Sequence, residues 1–192
     1  MKFNKTNLDD VILIESDIFE DHRGEYIEFY NEDDFKKMGI NIKFVADDIS
    51  ISHKNVLRGI HGDEETWKLI TCLYGRIYCV IVNCNIESKK FGKWQSFILS
   101  SSNRHRLLIP PNYGNSFLTL SDVSVYYYKQ SCYYKPRGQF TYKWNDPQFN
   151  IWWPIKDPIL SQRDTNGDYV DMGGHNDENL LFSSQGPKGK WI

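Results

Sequence analysis

The sequence predicts an all-β domain of the closed-barrel or jelly-roll type, and three observations support this prediction. Between about residues 43 and 153, short apolar runs with a two-residue period alternate with turn-forming residues. Aromatic residues make up 15% of the chain, and such residues favour strands. A single segment carries clear helix signals. The 192 residues suit one domain with an extended tail, so we expect a domain at residues 1–164 and a tail at residues 165–192.

The first predicted elements are two strands and a helix. An apolar run at residues 9–15 predicts a strand, and a turn at residues 21–24 leads into a second strand at residues 25–30. Residues 31–38 have the pattern of a helix, because Asn31 can cap the first turn, acids come early and lysines come late. Gly39 is expected to end this helix.

Short turns between apolar runs predict two hairpins in the barrel. Residues 69–74 and 76–83 would pair around Gly75. Residues 116–120 and 123–129 would pair around a Ser-Asp turn. Further single strands are expected at residues 93–99 and 106–109.

The charge pattern argues against nucleic acids and membranes as partners. The formal net charge is −2, positive and negative residues are mixed, and the sequence contains no basic run. A small anionic ligand fits, because it needs only a few local cations. The N-terminal residues have neither a signal-peptide pattern nor an apolar run that could span a membrane, so we expect a cytoplasmic protein.

Several common sites are not expected from the motifs. The four cysteines form no CxxC pair, which is typical of reduced, buried thiols. The five histidines form no HxH pair, so no metal site is expected. The sequence has neither GxGxxG nor GxSxG, which disfavours a dinucleotide-binding fold and a serine hydrolase.

The segment at residues 56–68, VLRGIHGDEETWK, is the most informative in the chain. It sets His61 on a predicted strand between Arg58 and Lys68. One interpretation is a hydrogen-bonded structural histidine. The other is a proton-transfer group near an anionic ligand, because the two cations would lower the pKa of His61 and favour its neutral, basic form. A base of this kind needs a carboxylate partner, which sequence order alone does not identify.

The strand at residues 123–129 has one face with hydroxyl groups. The two-residue period sets Ser124, Tyr126 and Tyr128 on this face and apolar residues on the other. Such a face can line a ligand cavity inside a small barrel. It can equally be the outer face of a half-exposed strand, and periodicity leaves both interpretations open.

A set of motifs resembles the dTDP-4-dehydrorhamnose 3,5-epimerases, the RmlC-like family of cupin-fold enzymes that act on sugar nucleotides. The matching motifs occur in family order across about residues 10–166. They are DHRGE at residues 21–25, DISIS at 48–52, VLRGIH at 56–61, KL at 68–69, FGKW at 91–94, IPP at 109–111, LSD at 120–122, YK at 128–129, WNDP at 144–147, WP at 153–154 and LSQRD at 160–164.

This resemblance implies a fold and an activity. The fold would be a double-stranded β-helix, or jelly-roll (cupin) barrel, with one or two short helices, assembled as a homodimer. The enzyme would need no metal and no other cofactor. Its substrate would be a nucleotide-linked 4-keto-6-deoxy sugar, whose ketone makes the protons on C3 and C5 removable. Removing a proton from one face and returning one to the other inverts the carbon.

The resemblance also implies roles for individual residues. His61 matches the catalytic base, Asp164 its carboxylate partner, Tyr128 the acid on the opposite face and Lys68 the cation near the 4-keto oxygen. Matching substrate-binding positions are Arg23, Glu28, Asp48, Ser50, Arg58, Asp63, Asn115 and Lys129, with the first strands often serving the partner subunit's site.

The chain departs from the family pattern at two positions near His61. Asn115 replaces a second active-site histidine, and Asp63 replaces a glutamine. These departures resemble the branch that acts on GDP-linked 4-keto heptoses in capsule synthesis, so a GDP-linked substrate is favoured over a dTDP-linked one. Inversion at C3 alone and at C3 and C5 both stay open. Two alternatives are a 3,4-ketoisomerase with the same fold and a non-catalytic protein that binds sugar nucleotides.

Overall fold

The computed structural model describes residues 1–135 and 138–167. Within these ranges the chain forms thirteen strands and two short helices. In chain order they are β1 (Lys2–Lys5), β2 (Ile12–Glu15), β3 (Ile18–Asp21), β4 (Gly24–Ile27), α1 (Glu32–Lys37), β5 (Ala46–His53), β6 (Leu57–Asp63), β7 (Lys68–Tyr74), β8 (Arg76–Asn83), β9 (Trp94–Ser100), β10 (Arg106–Ile109), β11 (Tyr113–Thr119), β12 (Val123–Gln130), β13 (Gln139–Thr141) and α2 (Gln162–Asn166).

Most strands belong to two antiparallel sheets that pack face to face. The six-stranded sheet has the order β1-β2-β10-β7-β12-β5, and the five-stranded sheet has the order β13-β6-β11-β8-β9. Strands β3 and β4 form a separate two-stranded ribbon. From β5 to β8, and again from β9 to β12, each strand lies in the sheet opposite to the strand before it. This alternation confirms the expected jelly-roll fold.

The first predicted hairpin, at residues 69–74 and 76–83, is wrong. Strand β7 pairs with β10 and β12, whereas β8 pairs with β9 and β11 in the other sheet. Gly75 turns the chain from one sheet into the other at φ +78°, where a Cβ atom would collide with the carbonyl oxygen of Val123. Seven of the eight residues of β8 are buried, so apolar burial between layers decided its partners.

The second predicted hairpin, at residues 116–120 and 123–129, is wrong for the same reason. Strand β11 pairs with β6 and β8, and β12 pairs with β5 and β7 in the opposite sheet. Ser121 stabilises the corner by donating to the carbonyl of Val123 at 2.7 Å and accepting from the backbone N–H of Arg76 at 2.9 Å. A turn signal therefore marked a change of sheet, not a hairpin.

Apolar clusters lie between the two sheets and on part of the outer face of each sheet. Between the sheets, residues of the six-stranded sheet such as Ile70 and Leu107 meet Cys79 and Ile81 of the five-stranded sheet. The outer face of the five-stranded sheet is covered by the segment after β13. The cluster there includes Tyr78, Val80, Val82, Tyr142, Phe149 and Trp153. This burial fixes the sheets against each other and leaves one end of the barrel for polar side chains.

Helix α1 forms where its sequence signals predicted a helix. The side chain of Asn31 accepts hydrogen bonds from the backbone N–H groups of Asp33 and Asp34, at 3.0 and 3.3 Å. Phe35 is 1% exposed and contacts the outer face of the six-stranded sheet with Ile14 and Leu108. The helix is thus anchored by one aromatic side chain.

The predicted boundary between domain and tail falls inside helix α2. This helix continues past Asp164 to Asn166, and Gly167 ends it in the left-handed conformation at φ +62°. The rest of the predicted tail, residues 168–192, lies outside the described residues. The role of residues 165–192 stays a prediction.

All four cysteines are free thiols: Cys72, Cys79 and Cys84 are buried and Cys132 is partly exposed. Burial raises the pKa of Cys72 to about 11 and that of Cys84 to about 12. In the part of the chain that the structure describes, no helix is both long and apolar enough to cross a membrane.

Candidate active site

His61 lies near the end of β6, where the backbone makes an unusually close approach to β11. Gly59 has φ +114°, and a Cβ atom at this position would lie 2.6 Å from the carbonyl oxygen of Asn115. Glycine is therefore required here, both for the backbone conformation and for the space. Asn115 and His61 are direct partners across the two strands, so both side chains are held at the same height of the barrel.

Helix α2 brings a buried carboxylate to His61. The Nε2 atom of His61 lies 2.6 Å from Oδ1 of Asp164, a residue that is 2% exposed. Oδ2 of Asp164 accepts from the hydroxyl of Ser161 at 2.7 Å, and Oδ1 also accepts from the backbone N–H of Gly59 at 3.3 Å. Because an ionised carboxylate only accepts, Nε2 carries the proton and Nδ1 is left as the basic nitrogen.

The charges of the pair follow from burial and hydrogen bonding. Burial lowers the pKa of His61, Asp164 acts to raise it, and Arg163 and Lys68 lower it further. Burial alone would raise the pKa of Asp164, but the hydrogen bonds from His61, Ser161 and Gly59 hold it below its usual value. The pair at neutral pH is therefore a neutral imidazole against a carboxylate. Arg58 was expected to lower the pKa of His61, but Arg163 does so instead.

A cavity of about 360 Å³ opens beside His61 between the two sheets. The five-stranded sheet contributes His61 and Asn115, and the six-stranded sheet contributes Lys68, Tyr126 and Tyr128. The hydroxyl-bearing face of β12 thus points into the barrel, not to solvent. Other residues that line the cavity are Ser50, Arg58, Phe117, Gln130, Tyr134, Gln139, Ser161, Arg163 and Asp164.

Tyr128 faces the cavity from the sheet opposite to His61. Burial raises the pKa of Tyr128, as does the negative charge of Asp48, while Arg58 lowers it. The phenol therefore keeps its proton at neutral pH and can donate it. A substrate ring bound between the two sheets would have a base on one side and an acid on the other.

Lys68 is linked to a chain of polar groups inside the cavity. Its Nζ atom donates to Oδ1 of Asn115 at 3.3 Å, and Nδ2 of Asn115 donates to the hydroxyl of Tyr126 at 3.2 Å. Burial lowers the pKa of Lys68. The charge of Asp63 acts to raise this pKa, and the charge of Arg163 lowers it further. Among the described residues no carboxylate contacts this amino group directly, so it is available to a ligand in the cavity.

Seven residues that line the cavity were not assigned to the site from the sequence, and Tyr126 and Arg163 are the two that bear on its hydrogen bonds and charge. Tyr126 was assigned to the hydroxyl-bearing face but not to the site. Arg163 was overlooked, although it lies in the Ser-x-x-Asp pattern of a capped helix at residues 161–164, which signals α2. Nε of Arg163 donates to Thr141 at 2.8 Å, and its buried Nη2 atom has no partner among the described residues.

Three other predicted binding residues do not line the cavity. Asp48 accepts from the Nε2 atom of Gln130 at 2.7 Å. Lys129 donates to Asp47 at 2.7 Å. Oδ1 of Asp63 accepts from the backbone N–H groups of Glu65 and Thr66, at 3.0 and 2.6 Å, so this carboxylate shapes the loop between β6 and β7.

Arg23 and Glu28 lie away from the cavity of their own chain. Arg23 is exposed on the β3–β4 ribbon and pairs with Asp21, at 2.6 Å. Glu28 follows this ribbon and accepts from Nδ2 of Asn31 at 3.1 Å. Within the described residues, no group of three or more His, Cys, Asp and Glu side chains could hold a metal ion.

Comparison with known proteins identifies relatives over nearly the whole described chain. The family model for dTDP-4-dehydrorhamnose 3,5-epimerase matches residues 5–171. A protein of that name from Salmonella typhimurium is 37% identical over 173 residues, which cover 88% of this chain and 94% of the relative.

Solved structures of similar proteins share the fold. A Legionella pneumophila dTDP-6-deoxy-D-glucose-3,5-epimerase in complex with dTDP-4-keto-L-rhamnose has a TM-score of 0.81 and 34% identity, covering 85% of this chain and 89% of the other. A 3′-monoepimerase from Streptomyces bikiniensis in complex with dTDP-quinovose has a TM-score of 0.80 and 27% identity, covering 84% of each chain.

Proposed function

Since the chain belongs to the dTDP-4-dehydrorhamnose 3,5-epimerase family of isomerases, we propose that it epimerises a nucleotide-linked 4-keto-6-deoxy sugar without a cofactor. The observation that carries this proposal is the cavity shared by His61, with its Asp164 partner, and Tyr128. A base and an acid on opposite walls are what inversion of a carbon requires, because the proton leaves one face and returns to the other.

The first step is removal of the proton from C3 of the sugar. Nδ1 of His61 accepts this proton, and Asp164 stabilises the resulting imidazolium through its hydrogen bond to Nε2. The electron pair of the C–H bond moves into the C3–C4 bond, and the ketone oxygen at C4 becomes an enolate oxygen. The Lys68 ammonium lies in the same cavity and would stabilise this negative charge.

The second step returns a proton to the opposite face of C3. Tyr128 donates its phenolic proton, the C3–C4 double bond becomes single again, and the ketone at C4 is restored. The proton balance closes when His61 loses its proton and Tyr128 regains one through solvent. Repetition at C5 would give a 3,5-epimerase, and its absence would give a 3-epimerase.

For the nucleotide, we propose a GDP-linked substrate, such as a 4-keto heptose used for capsule or O-antigen sugars. Support comes from a recess that shares Gln130 with the cavity and is lined by Asp63, Glu64, Glu65 and Lys135, the last of which pairs with Glu65. Among the described residues, Glu64 makes no ion pair. Guanine presents two adjacent N–H donors to one carboxylate, whereas thymine presents a single N–H between two carbonyl oxygens.

We also propose a homodimer in which the β3–β4 ribbon of one chain reaches the cavity of the other. The ribbon exposes Phe19 and Tyr26 and pairs with no other strand among the described residues. Edge strand β5 exposes Ile49 and Ile51. A second copy would cover these apolar side chains and would bring Arg23 to the substrate's phosphates.

The experiment that tests the activity is hydrogen exchange in deuterium oxide. The protein is incubated with GDP-linked and dTDP-linked 4-keto-6-deoxy sugars, and NMR identifies the carbons that acquire deuterium. We expect exchange at C3, with or without C5, and a product of inverted configuration. Absence of exchange with every such substrate would overturn the proposal. A product with the ketone at C3 would instead identify a 3,4-ketoisomerase.

Calorimetric measurement of GDP and dTDP binding tests which nucleotide the protein prefers. We expect GDP to bind more tightly, and Glu64→Gln to reduce this preference by about tenfold, since a good bidentate contact to a base contributes about 1–3 kcal/mol. Lys156→Met, an exposed substitution away from the recess, serves as the control. Equal affinity for both nucleotides would contradict the GDP proposal but not the epimerase proposal.

A further inference from the structure

The hydroxyl of Tyr126 has no part in the mechanism described above, yet it lies inside the cavity. Tyr126 is 3% exposed, and its ring stacks on Phe117 with centroids 4.4 Å apart. A phenylalanine would make the same ring contact. A buried hydroxyl costs free energy unless it is hydrogen-bonded, so packing alone gives no reason for this oxygen.

The orientation of Asn115 follows from the groups on its two sides. A lysine ammonium is only a donor, so the atom of Asn115 that faces Lys68, at 3.3 Å, must be the carbonyl oxygen. The amide nitrogen then faces Tyr126, at 3.2 Å. Because an amide nitrogen only donates, the oxygen of Tyr126 is an acceptor in this contact.

It follows that the Tyr126 proton must point away from Asn115. Among the described residues this hydroxyl has no other hydrogen-bond partner, so none of them accepts its proton. The hydroxyl borders the cavity together with Lys68 and Tyr128. The donor of Tyr126 is therefore available to an acceptor atom of a ligand bound there.

We propose that Tyr126 is a catalytic residue that donates a hydrogen bond to the C4 oxygen of the substrate, and that Asn115 orients this hydroxyl and the Lys68 ammonium toward that one oxygen. The inference rests on the proposed function, because an enolate oxygen exists only if a proton is removed next to a ketone. No proton is transferred from Tyr126 in this step. Its hydrogen bond shortens as negative charge moves from the C3–H bond onto oxygen.

The surroundings of Tyr126 suit a donor that keeps its proton. Burial raises its pKa well above the usual value, with contributions from Cys79 and Tyr128, so the phenol stays neutral while it donates. Lys68 supplies the positive charge and Tyr126 a neutral donor. The Asn115 carboxamide contacts both Lys68 and Tyr126, so the two donors are positioned before negative charge develops on the substrate oxygen.

The direct test is Tyr126→Phe, which removes the oxygen and keeps the stacked ring. We expect kcat for exchange at C3 to fall by about 10²-fold, the order of magnitude for loss of one oxyanion donor. KM and nucleotide affinity should change by less than about twofold, because the ketone oxygen accepts weakly before enolisation. Tyr78→Phe is the matched control, since it removes a buried tyrosine hydroxyl that donates to Trp152 in the outer layer.

The results separate this inference from the proposed function. If the wild-type protein catalyses exchange and Tyr126→Phe has the same kcat, the role of Tyr126 is overturned and the epimerase proposal stays intact. An equal loss in Tyr78→Phe would also overturn it, because the effect would then be structural. Absence of exchange in the wild-type protein would overturn both proposals together.

A second arm tests the role of Asn115 by a double-mutant cycle with Asn115→Leu. If Asn115 acts by orienting the Tyr126 hydroxyl, Tyr126→Phe in the Asn115→Leu background should cost less than about threefold in kcat. If the two residues act independently, their losses multiply and the double variant loses the product of both factors. Multiplicative losses would overturn the positioning role of Asn115.

Discussion

Nε2 of His61 and Oδ1 of Asp164 lie 2.6 Å apart, although 103 residues separate them in the chain. The contact forms because helix α2 packs against β6 and because the cap of this helix fixes the carboxylate. Ser161 both donates to Oδ2 of Asp164 and accepts from its backbone N–H. His61 and Asp164 are thus held by two elements that no local sequence pattern connects.

The first prediction concerns the charge of this pair. In Asp164→Asn the amide oxygen can still accept from Nε2, but the negative charge that stabilises the imidazolium is lost. We expect kcat to fall by about 10²–10⁴-fold, the contribution typical of an acid–base group. Single-turnover exchange measures the loss, and Asp157→Asn, an exposed aspartate, is the control. Activity within about threefold of wild type would show that the pair is structural.

The second prediction concerns the pH dependence of the reaction. His61 must be neutral to accept a proton, and its pKa is lowered, so kcat/KM should fall on the acid side with a midpoint below 6.5. Arg163 is one cause of this low pKa. In Arg163→Met the pKa of His61 should rise, and the acid limb should move to higher pH.

Rate profiles between about pH 5 and 9 check this shift. The control is Lys156→Met, which removes a cation that is exposed and is not among the causes of the His61 shift. An acid limb that stays in place, or moves to lower pH, in Arg163→Met would contradict the electrostatic role of this residue.

The third prediction concerns the sharing of sites between two subunits. The variants Arg23→Ala and His61→Asn should each be nearly inactive as homodimers. When equal amounts of the two variants are refolded together, half of the dimers should be heterodimers. Each heterodimer has one site that combines a native His61 with a native Arg23 from the other chain. We expect about a quarter of wild-type activity by this arithmetic. Activity no greater than that of the separate variants would show that the ribbon serves its own chain.

The fourth prediction concerns the backbone at Gly59. In Gly59→Ala the new Cβ would meet the Asn115 carbonyl oxygen and the left-handed conformation would be strained. Gly24→Ala is the control, because Gly24 has φ +121° and open space around it. We expect the free energy of unfolding to drop by about 1–3 kcal/mol in the control and by more than about 3 kcal/mol in Gly59→Ala. Urea denaturation measures both, and equal losses would contradict the close approach.

Local signals were sufficient wherever an element is stabilised by its own residues. Asn31, the early acids and the late lysines predict helix α1, and in the structure Asn31 caps it while Lys36 and Lys37 pair with acids of its first turn. The hydroxyl-bearing face of β12 was predicted from its two-residue period, which is a property of the strand itself. Collinear motifs along the chain also indicate the family.

Pairings between distant segments were predicted poorly. Gly75 and the Ser121 corner were interpreted as hairpin turns, but the strands that they join lie in opposite sheets. Arg163 and Tyr126 were not assigned to the site, because their relation to His61 and Asn115 depends on helix α2 and on the facing of the two sheets. Turn-forming residues predict that the chain reverses direction. They do not predict which of the two sheets the next strand joins.

By itself, the sequence determined the fold class, the capped helix, the two faces of β12 and the residue types of the site, because these depend on spacing along one segment. The family resemblance implied that Asp164 partners His61 and that Tyr128 lies opposite, but the contacts that do this come from the tertiary structure, which also places Asn115 between Lys68 and Tyr126. The physical reason is that these contacts join side chains far apart in the chain. Their positions follow from burial of apolar surface between and outside the two sheets, to which nearly every strand contributes.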